Sequence, residues 1–211
     1  MSTPNTKAEQ GEASRAALVR AARELFTERG YGGVGTEEIV RRAELTRGAL
    51  YHHFADKKDL FRAVHEQMEG EVVGAIAAKM ADVSDPVELL HVGTRAYLDV
   101  CTDPAITRVT LIDAPSILGW EEWREIDMRH GLGLIMAGLQ AGIDAGELRE
   151  QPVRPLAHLM LGAMGEAGMV IANAVDPAAA RAEIEPALLD LLEGLRVSKQ
   201  AGVRGPARRG A

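Results

Sequence analysis

Three residues near the amino end, Arg47, Gly48 and Tyr51, hold the chemistry in this chain that is easiest to assign. On a helix, where successive residues turn by about 100 degrees, they project to one side while Leu50 and His53 lie opposite. A guanidinium can bridge O6 and N7 of a guanine. A glycine lets backbone come close to a groove, and a Tyr or Thr hydroxyl can hydrogen-bond a phosphate. Lys57 adds a cation at the start of the next helix, where the helix dipole disfavours positive charge, so phosphate contact explains it better than solvation does. The pattern is that of a surface built to lie against duplex DNA.

Other chemistry-bearing patterns fail on their context. His52 and His53 beside Asp56 lack a further ligand for a metal site. Gly30, Gly32 and Gly35 satisfy GxGxxG, yet a helix and not a strand precedes them. His65 and Glu66 miss the HExxH spacing because position 69 is Glu, and there is no GxSxG nucleophile elbow. Neither an enzyme nor a metal or other cofactor is expected.

The elements that must position Arg47 and Tyr51 are short. Between Glu12 and Arg29 the residues Leu18, Ala22, Leu25 and Phe26 form one apolar helical stripe that Gly30 ends. Thr36 is placed to cap a short helix holding Ile39 and Val40, and Thr46 to cap a second through about His53. Two such helices cannot bury a core alone and need the first helix beneath them. Near Asp56 a long helix begins, bearing Leu60, Phe61, Val64, Met68 and Val72. Further helices are expected from Pro86 to about Thr102, from Pro104, from Trp120 to Ala145, from about Pro155 to Ala174, and from Pro177 behind an Asp176 cap. No segment reads as a strand. The fold class is therefore all-α, with about nine helices.

Composition agrees with one large or two small helical domains. The 211 residues are 46% hydrophobic, 26% charged and only 4% aromatic. The net charge of -7 is unevenly spread: residues 1–65 hold 11 Lys+Arg against 9 Asp+Glu, and the remaining 146 hold 13 against 22. The two parts should meet different partners. Cys101, the single cysteine, cannot form an internal disulfide, which fits a reducing cytoplasm. Leu156 to Val175 nears membrane-spanning length, but His158, Glu166, Asn173 and three glycines favour a buried helix, and no membrane partner is expected. A basic tail, 199–211, reads as disordered.

Residues Arg15 to Met68, with AARELFTERGY followed by TEEIVRRAELTRGALYHHFADKKDLFRAV, resemble the N-terminal domain of the TetR (tetracycline repressor-like) family of transcriptional regulators. The resemblance covers about a quarter of the chain. It implies a three-helix helix-turn-helix DNA-binding domain whose third helix, about Arg47 to His53, enters the major groove of an operator. Matching positions imply phosphate contacts from Thr36, Thr46, Tyr51, His53 and Lys57, with Arg47, Gly48 and His52 toward bases. Glu44 stands where the family has a turn glycine, so it must turn without glycine's freedom. Val34 and Gly35 replace the usual threonine and serine.

The resemblance implies a helical ligand-binding and dimerisation domain for the remainder. On this reading the chain divides into an N-terminal arm (1–11), a DNA-binding domain (12–56), a ligand-binding and dimerisation domain (57–198) entered by a linking helix, and the tail. Tyr97, Cys101, Trp120, Trp123, Met136, Met160 and Met164 are candidates to enclose an apolar effector, though core packing is the simpler reading of each. His91, Arg95, Asp113 and His130 are polar candidates to orient it. The last two long helices suit a dimer seam, which would set two recognition helices about 34–36 Å apart on a pseudopalindromic double-stranded operator. The expected function is a homodimeric repressor released by a small, largely apolar ligand. A helical small-molecule-binding protein or enzyme without a DNA role is the alternative.

Overall fold

The computed structural model describes residues 7–197. Helices α1 (Lys7–Arg29), α2 (Thr36–Arg42), α3 (Arg47–His53) and α4 (Lys57–Met80) come first, followed by α5 (Pro86–Val100). Next come α6 (Pro104–Thr107), a π-helical segment (Arg108–Asp113) and α7 (Ala114–Leu118), which run on without a break. Last are α8 (Trp120–Asp144), α9 (Val153–Ala172) and α10 (Pro177–Glu193). Counted as one irregular helix, the stretch from α6 to α7 brings the total among the described residues to the nine expected. The one β feature among them is an isolated bridge between Leu148 and Arg196.

Local chemistry accounts for most boundaries. Asp56, Asp85, Asp103 and Asp176 each accept backbone N–H groups at the start of a helix, and Pro86, Pro104 and Pro177 sit where no N–H is needed. At α4 the capping is reciprocal: Asp59 N donates to Asp56 Oδ1 at 2.7 Å and Ala55 N donates to Asp59 Oδ2 at 3.0 Å. Gly30, at φ 71°, ends α1 in the left-handed region.

Several boundaries depart from expectation. Residues 7–11, expected in the arm, belong to the start of α1. Thr36 does not cap α2; Gly35 holds that position without a side-chain bond, and Thr36 is the first helical residue. Helix α9 starts at Val153, two residues early. Pro115 lies inside a helix and does not break it: lacking an N–H for the preceding turn, it follows a π-helical segment, while Gly119 at φ 93° makes the actual break. Pro186 is accommodated within α10. The expected basic tail lies outside the described residues.

One core runs from the first four helices into the stretch from α6 to α8. Phe26, Tyr31 and Phe61 meet edge-on or tilted at 5.1–5.7 Å between ring centroids, a geometry that suits the aromatic quadrupole. Leu18, Ala22, Leu25, Leu50 and Leu60 are sealed against them. Each such leucine contributes about 1.5–3 kcal/mol by burial, so α2 and α3 are held by their undersides. A second core joins α5, α8, α9 and α10 around Leu139 and Leu192. Helix α9 is long and apolar enough by length and composition to cross a membrane. It packs one face inward, with Ala157, Ala167, Gly168 and Ile171 buried, while Leu159 and Val170 are exposed.

Candidate nucleic-acid interface and effector cavity

Helix α3 is positioned from both ends. Thr46 Oγ1 accepts from Ala49 N at 3.1 Å, and Phe54 N donates to Leu50 O at 2.9 Å as the chain leaves. Leu50 is fully buried, and Arg47, Gly48, Tyr51 and His52 are exposed above it. The Arg47 guanidinium stands 5.5 Å from the centre of the Tyr51 ring and donates to Glu37 Oε1 at 3.1 Å. Both members of that pair are more than half exposed, so it contributes about 0–1 kcal/mol and can be exchanged for a base edge. His53 is half-buried.

The turn before α3 is a Schellman closure: Leu45 N donates to Val40 O and Glu44 N to Arg41 O. Glu44 is its left-handed residue, at φ 57°, and is the one non-glycine residue with positive φ among those described. The sequence departure at this position thus leaves the turn intact and strains the residue.

Lys57, for which the resemblance implies a phosphate contact, makes internal hydrogen bonds in the structure. Its Nζ donates to Tyr31 O at 2.7 Å and to Val34 O at 2.6 Å, and lies 3.9 Å from the centre of the Tyr31 ring. Burial pushes its pKa down. The ammonium ties the turn between α1 and α2 to the start of α4. Thr36 is half-exposed at the head of α2.

The second site is a cavity of about 80 Å³ among α4, α5, α8, α9 and α10; a smaller one of about 30 Å³ shares Glu69, Val72, Tyr97, Asp127 and Gly165 with it as lining. Tyr97, Met160 and Met164 line the larger, and Tyr97, Cys101 and Trp123 the smaller. Gly168 is required here, since a Cβ would collide with the Tyr97 hydroxyl. Two candidates fall elsewhere. Trp120 is 65% exposed on the surface, its ring tilted by 47° against that of Trp123, and Met136 packs against the second core and is not among the residues lining the cavity. Trp120 is the first residue of α8, and Met136 is turned away from the lining residues Asp127 and Leu134 around that helix.

The polar candidates are also used elsewhere. Arg95 pairs with Glu88 and Glu185, His91 lies between Glu88 and Glu193, Asp113 accepts from Tyr31 N, and His130 sits beside Gly70. The polar groups that do line the cavity include Glu69 and Asp127, which sequence reading passed over. The available signal was Glu69 falling in helical register with Val72, Val73 and Ile76. Burial and the neighbouring Asp127 push the Glu69 carboxyl up to about 8. Burial also raises Asp127, with Arg124 opposing it as an ion-pair partner. Burial drives Cys101 up to about 12 and Tyr97 upward, and it drives His65, behind Glu69, down to about 4.

Two routes join cavity and DNA-facing helices. Helix α4 lines the cavity at Glu69, Val72 and Ile76, and packs on α1. Thr107, Thr110 and Leu111 line the smaller cavity. From the same stretch, Asp113 Oδ2 accepts from Tyr31 N at 2.7 Å and Leu118 O accepts from Lys58 Nζ at 3.2 Å. No group of three His, Cys, Asp or Glu side chains among the described residues could hold a metal ion.

Residues 18–64 match the family profile described as bacterial regulatory proteins, tetR family, and residues 87–195 match the one described as tetracyclin repressor-like, C-terminal domain. The TetC protein of transposon Tn10, from Escherichia coli, is 30% identical over 162 residues, 77% of this chain and 82% of its own. A TetR-family transcriptional regulator from Pectobacterium atrosepticum, solved by crystallography, is 36% identical. It matches 92% of this chain and 98% of its own with a TM-score of 0.82. RolR, crystallised with resorcinol, shares the fold at a TM-score of 0.71 and 22% identity, over 88% of this chain and 90% of its own.

Proposed function

Because the chain belongs to the TetR family of bacterial regulatory proteins, and is by that membership a DNA-binding transcriptional regulator and not an enzyme, we propose that it is a homodimeric repressor released from a pseudopalindromic operator by a small, largely apolar effector. The observation that carries the DNA reading is the α3 face, with Arg47, Gly48, Tyr51 and His52 outward over a sealed Leu50. Arg47 and Gly48 read bases, assisted by His52. Thr36, Thr46, Tyr51 and His53 hold phosphates. Lys57 serves first as an internal brace. With α1 counted whole, the DNA-binding domain begins at Lys7, and the effector and dimerisation domain follows from Lys57.

Dimerisation is supported by the outer faces of α9 and α10, where Leu159 is 72% exposed and Val170 and Leu191 are about half exposed. Pairing these faces across a two-fold axis would bury them and set two α3 helices on one face of the duplex. The effector occupies the cavity between α4, α5, α8 and α9. By altering the tilt of α4 or the stretch from α6 to α7, it changes the separation of the two α3 helices. A 100-fold loss of operator affinity requires about 2.7 kcal/mol of preference for the DNA-incompetent state. The protein works in the cytoplasm, where its DNA lies.

A mobility-shift and anisotropy titration against DNA upstream of its own gene, at several salt concentrations, tests this reading. A sequence-preferring complex with one dimer per site, weakening steeply with salt, is expected. Equal affinity for scrambled DNA, or a monomer by light scattering, would sink it.

A further inference from the structure

We propose that the cavity takes an apolar molecule carrying one positively charged nitrogen, seated between the carboxyls of Glu69 and Asp127. This deepens the effector reading above and rests on it. The walls are apolar, from residues such as Ile76, Leu134, Met160 and Met164. Among the described residues neither cavity is lined by Lys, Arg or His, whereas both are lined by Glu69 and Asp127. An anionic ligand would therefore face two carboxyls and no counter-charge. Asp127 already has Arg124 as partner. Among the described residues the one basic nitrogen within 4 Å of the Glu69 carboxylate is His65 Nδ1, 3.8 Å from Oε1 and beyond hydrogen-bond reach.

A second observation beside the cavity is His65, which stands behind Glu69 on the same helix. It is fully buried, at 0% exposure, and neither ring nitrogen has a hydrogen-bond partner. Unpaired buried polar groups of this kind are costly and uncommon. An imidazole N–H aimed at Glu69 can close on the carboxylate once that group ionises, and a ligand cation on the cavity side would hold it ionised. Burial and Asp127 keep the Glu69 proton on, so arrival of the cation releases that proton to solvent.

The titratable and charged groups around Glu69 are His65 on α4, Tyr97 on α5 with Cys101 just past its end, and Asp127 with its partner Arg124 on α8, while Glu122 and His130 of α8 act on His65; α9 presents Met160, Met164 and Gly165. Between pH 6 and 8 Tyr97 and Cys101 stay protonated and His65 stays neutral, since burial moves each away from that range. With the Glu69 carboxyl at about 8, its ionised fraction rises about 50-fold over that interval. A His130→Gln control separates any response of His130.

The test is calorimetry on the full-length protein with one skeleton in three charge states: 3-phenylpropylamine, 3-phenylpropan-1-ol and 3-phenylpropanoate. The amine stays protonated throughout the range. At pH 8 it should bind at least tenfold tighter than the alcohol, with the carboxylate weakest, and its affinity should fall by up to about 50-fold at pH 6 while that of the alcohol holds. Glu69→Gln should bring the amine to the level of the alcohol measured on the same variant. Equal affinities for amine and alcohol in the unmodified protein, or a preference that survives Glu69→Gln, would overturn the proposal. If the variant does not fold, the unmodified protein's charge series decides alone. Operator titration of the same sample keeps the two readings apart: a specific DNA complex without cation preference refutes only the ligand class, and loss of the DNA complex refutes the regulatory reading.

Discussion

Replacing Lys57 by Met keeps most of the apolar stem and removes the ammonium, which separates a structural brace from a phosphate contact. In the structure the ammonium satisfies two carbonyls, Tyr31 O at 2.7 Å and Val34 O at 2.6 Å, and stands 3.9 Å from the Tyr31 ring centre. Each charge-assisted bond contributes about 1.5–3 kcal/mol net, and a partly desolvated cation over an aromatic face about 1 kcal/mol. Burial of the ammonium, which lowers its pKa, takes part of this back. The net loss should be about 2–4 kcal/mol. For a chain of this size that is a fall in Tm of about 5–15 °C. Thermal unfolding followed by circular dichroism without DNA reads it directly. A phosphate contact alone would leave the free protein's Tm unchanged and lower the slope of log K against log salt by about 0.9. An unchanged Tm with a reduced salt slope would refute the brace.

Three further outcomes are expected. Glu44→Gly should raise Tm by about 1–3 °C, because the left-handed conformation costs a side-chain-bearing residue about 1–2 kcal/mol and the gain in unfolded-chain entropy returns only part of it; a lower Tm would show that φ 57° is not strained. Arg47→Ala should weaken operator binding by about 1–3 kcal/mol and relax preference at one base position, as read by anisotropy on single-base variants, with little change in Tm because its pair with Glu37 is exposed. Glu69→Gln should stabilise the protein more at pH 8 than at pH 5. Folding holds this carboxyl protonated up to about 8, the unfolded chain ionises it near 4.3, and so its contribution to stability is complete below that value and lost as pH rises through 8. A Tm difference that is flat between pH 5 and 8 would count against the buried acid.

Much of the DNA-facing part is legible in sequence because its determinants are local. Thr46 caps α3 through a bond three residues away, Leu50 and Arg47 part by helical rotation, and Asp56, Asp85, Asp103 and Asp176 mark helix starts by the same short-range chemistry. Lys57 shows the limit: that a lysine sits in the first turn is a local fact, but its acceptors lie 23 and 26 residues back. The cavity is harder still. Trp120 and Trp123 are three residues apart on one helix, yet one is buried at the cavity and the other is on the surface. Met136 and Met160 are alike in type and only the second reaches the cavity.

From sequence alone come the all-α class, most of the helix starts, the exposed Arg47 and Tyr51 face and the acidic character of the second part. All of these depend on rotation per residue, capping within one turn, or composition. Tertiary structure alone brings Glu69 and Asp127, 58 positions apart, to one apolar space with an unpartnered His65 behind them, and threads residues 104–118 between that space and the turn at Tyr31. Periodicity names the face a residue shares with its neighbours along a helix. Which other helix meets that face, and whether a gap remains between them, depends on how several helices pack at once.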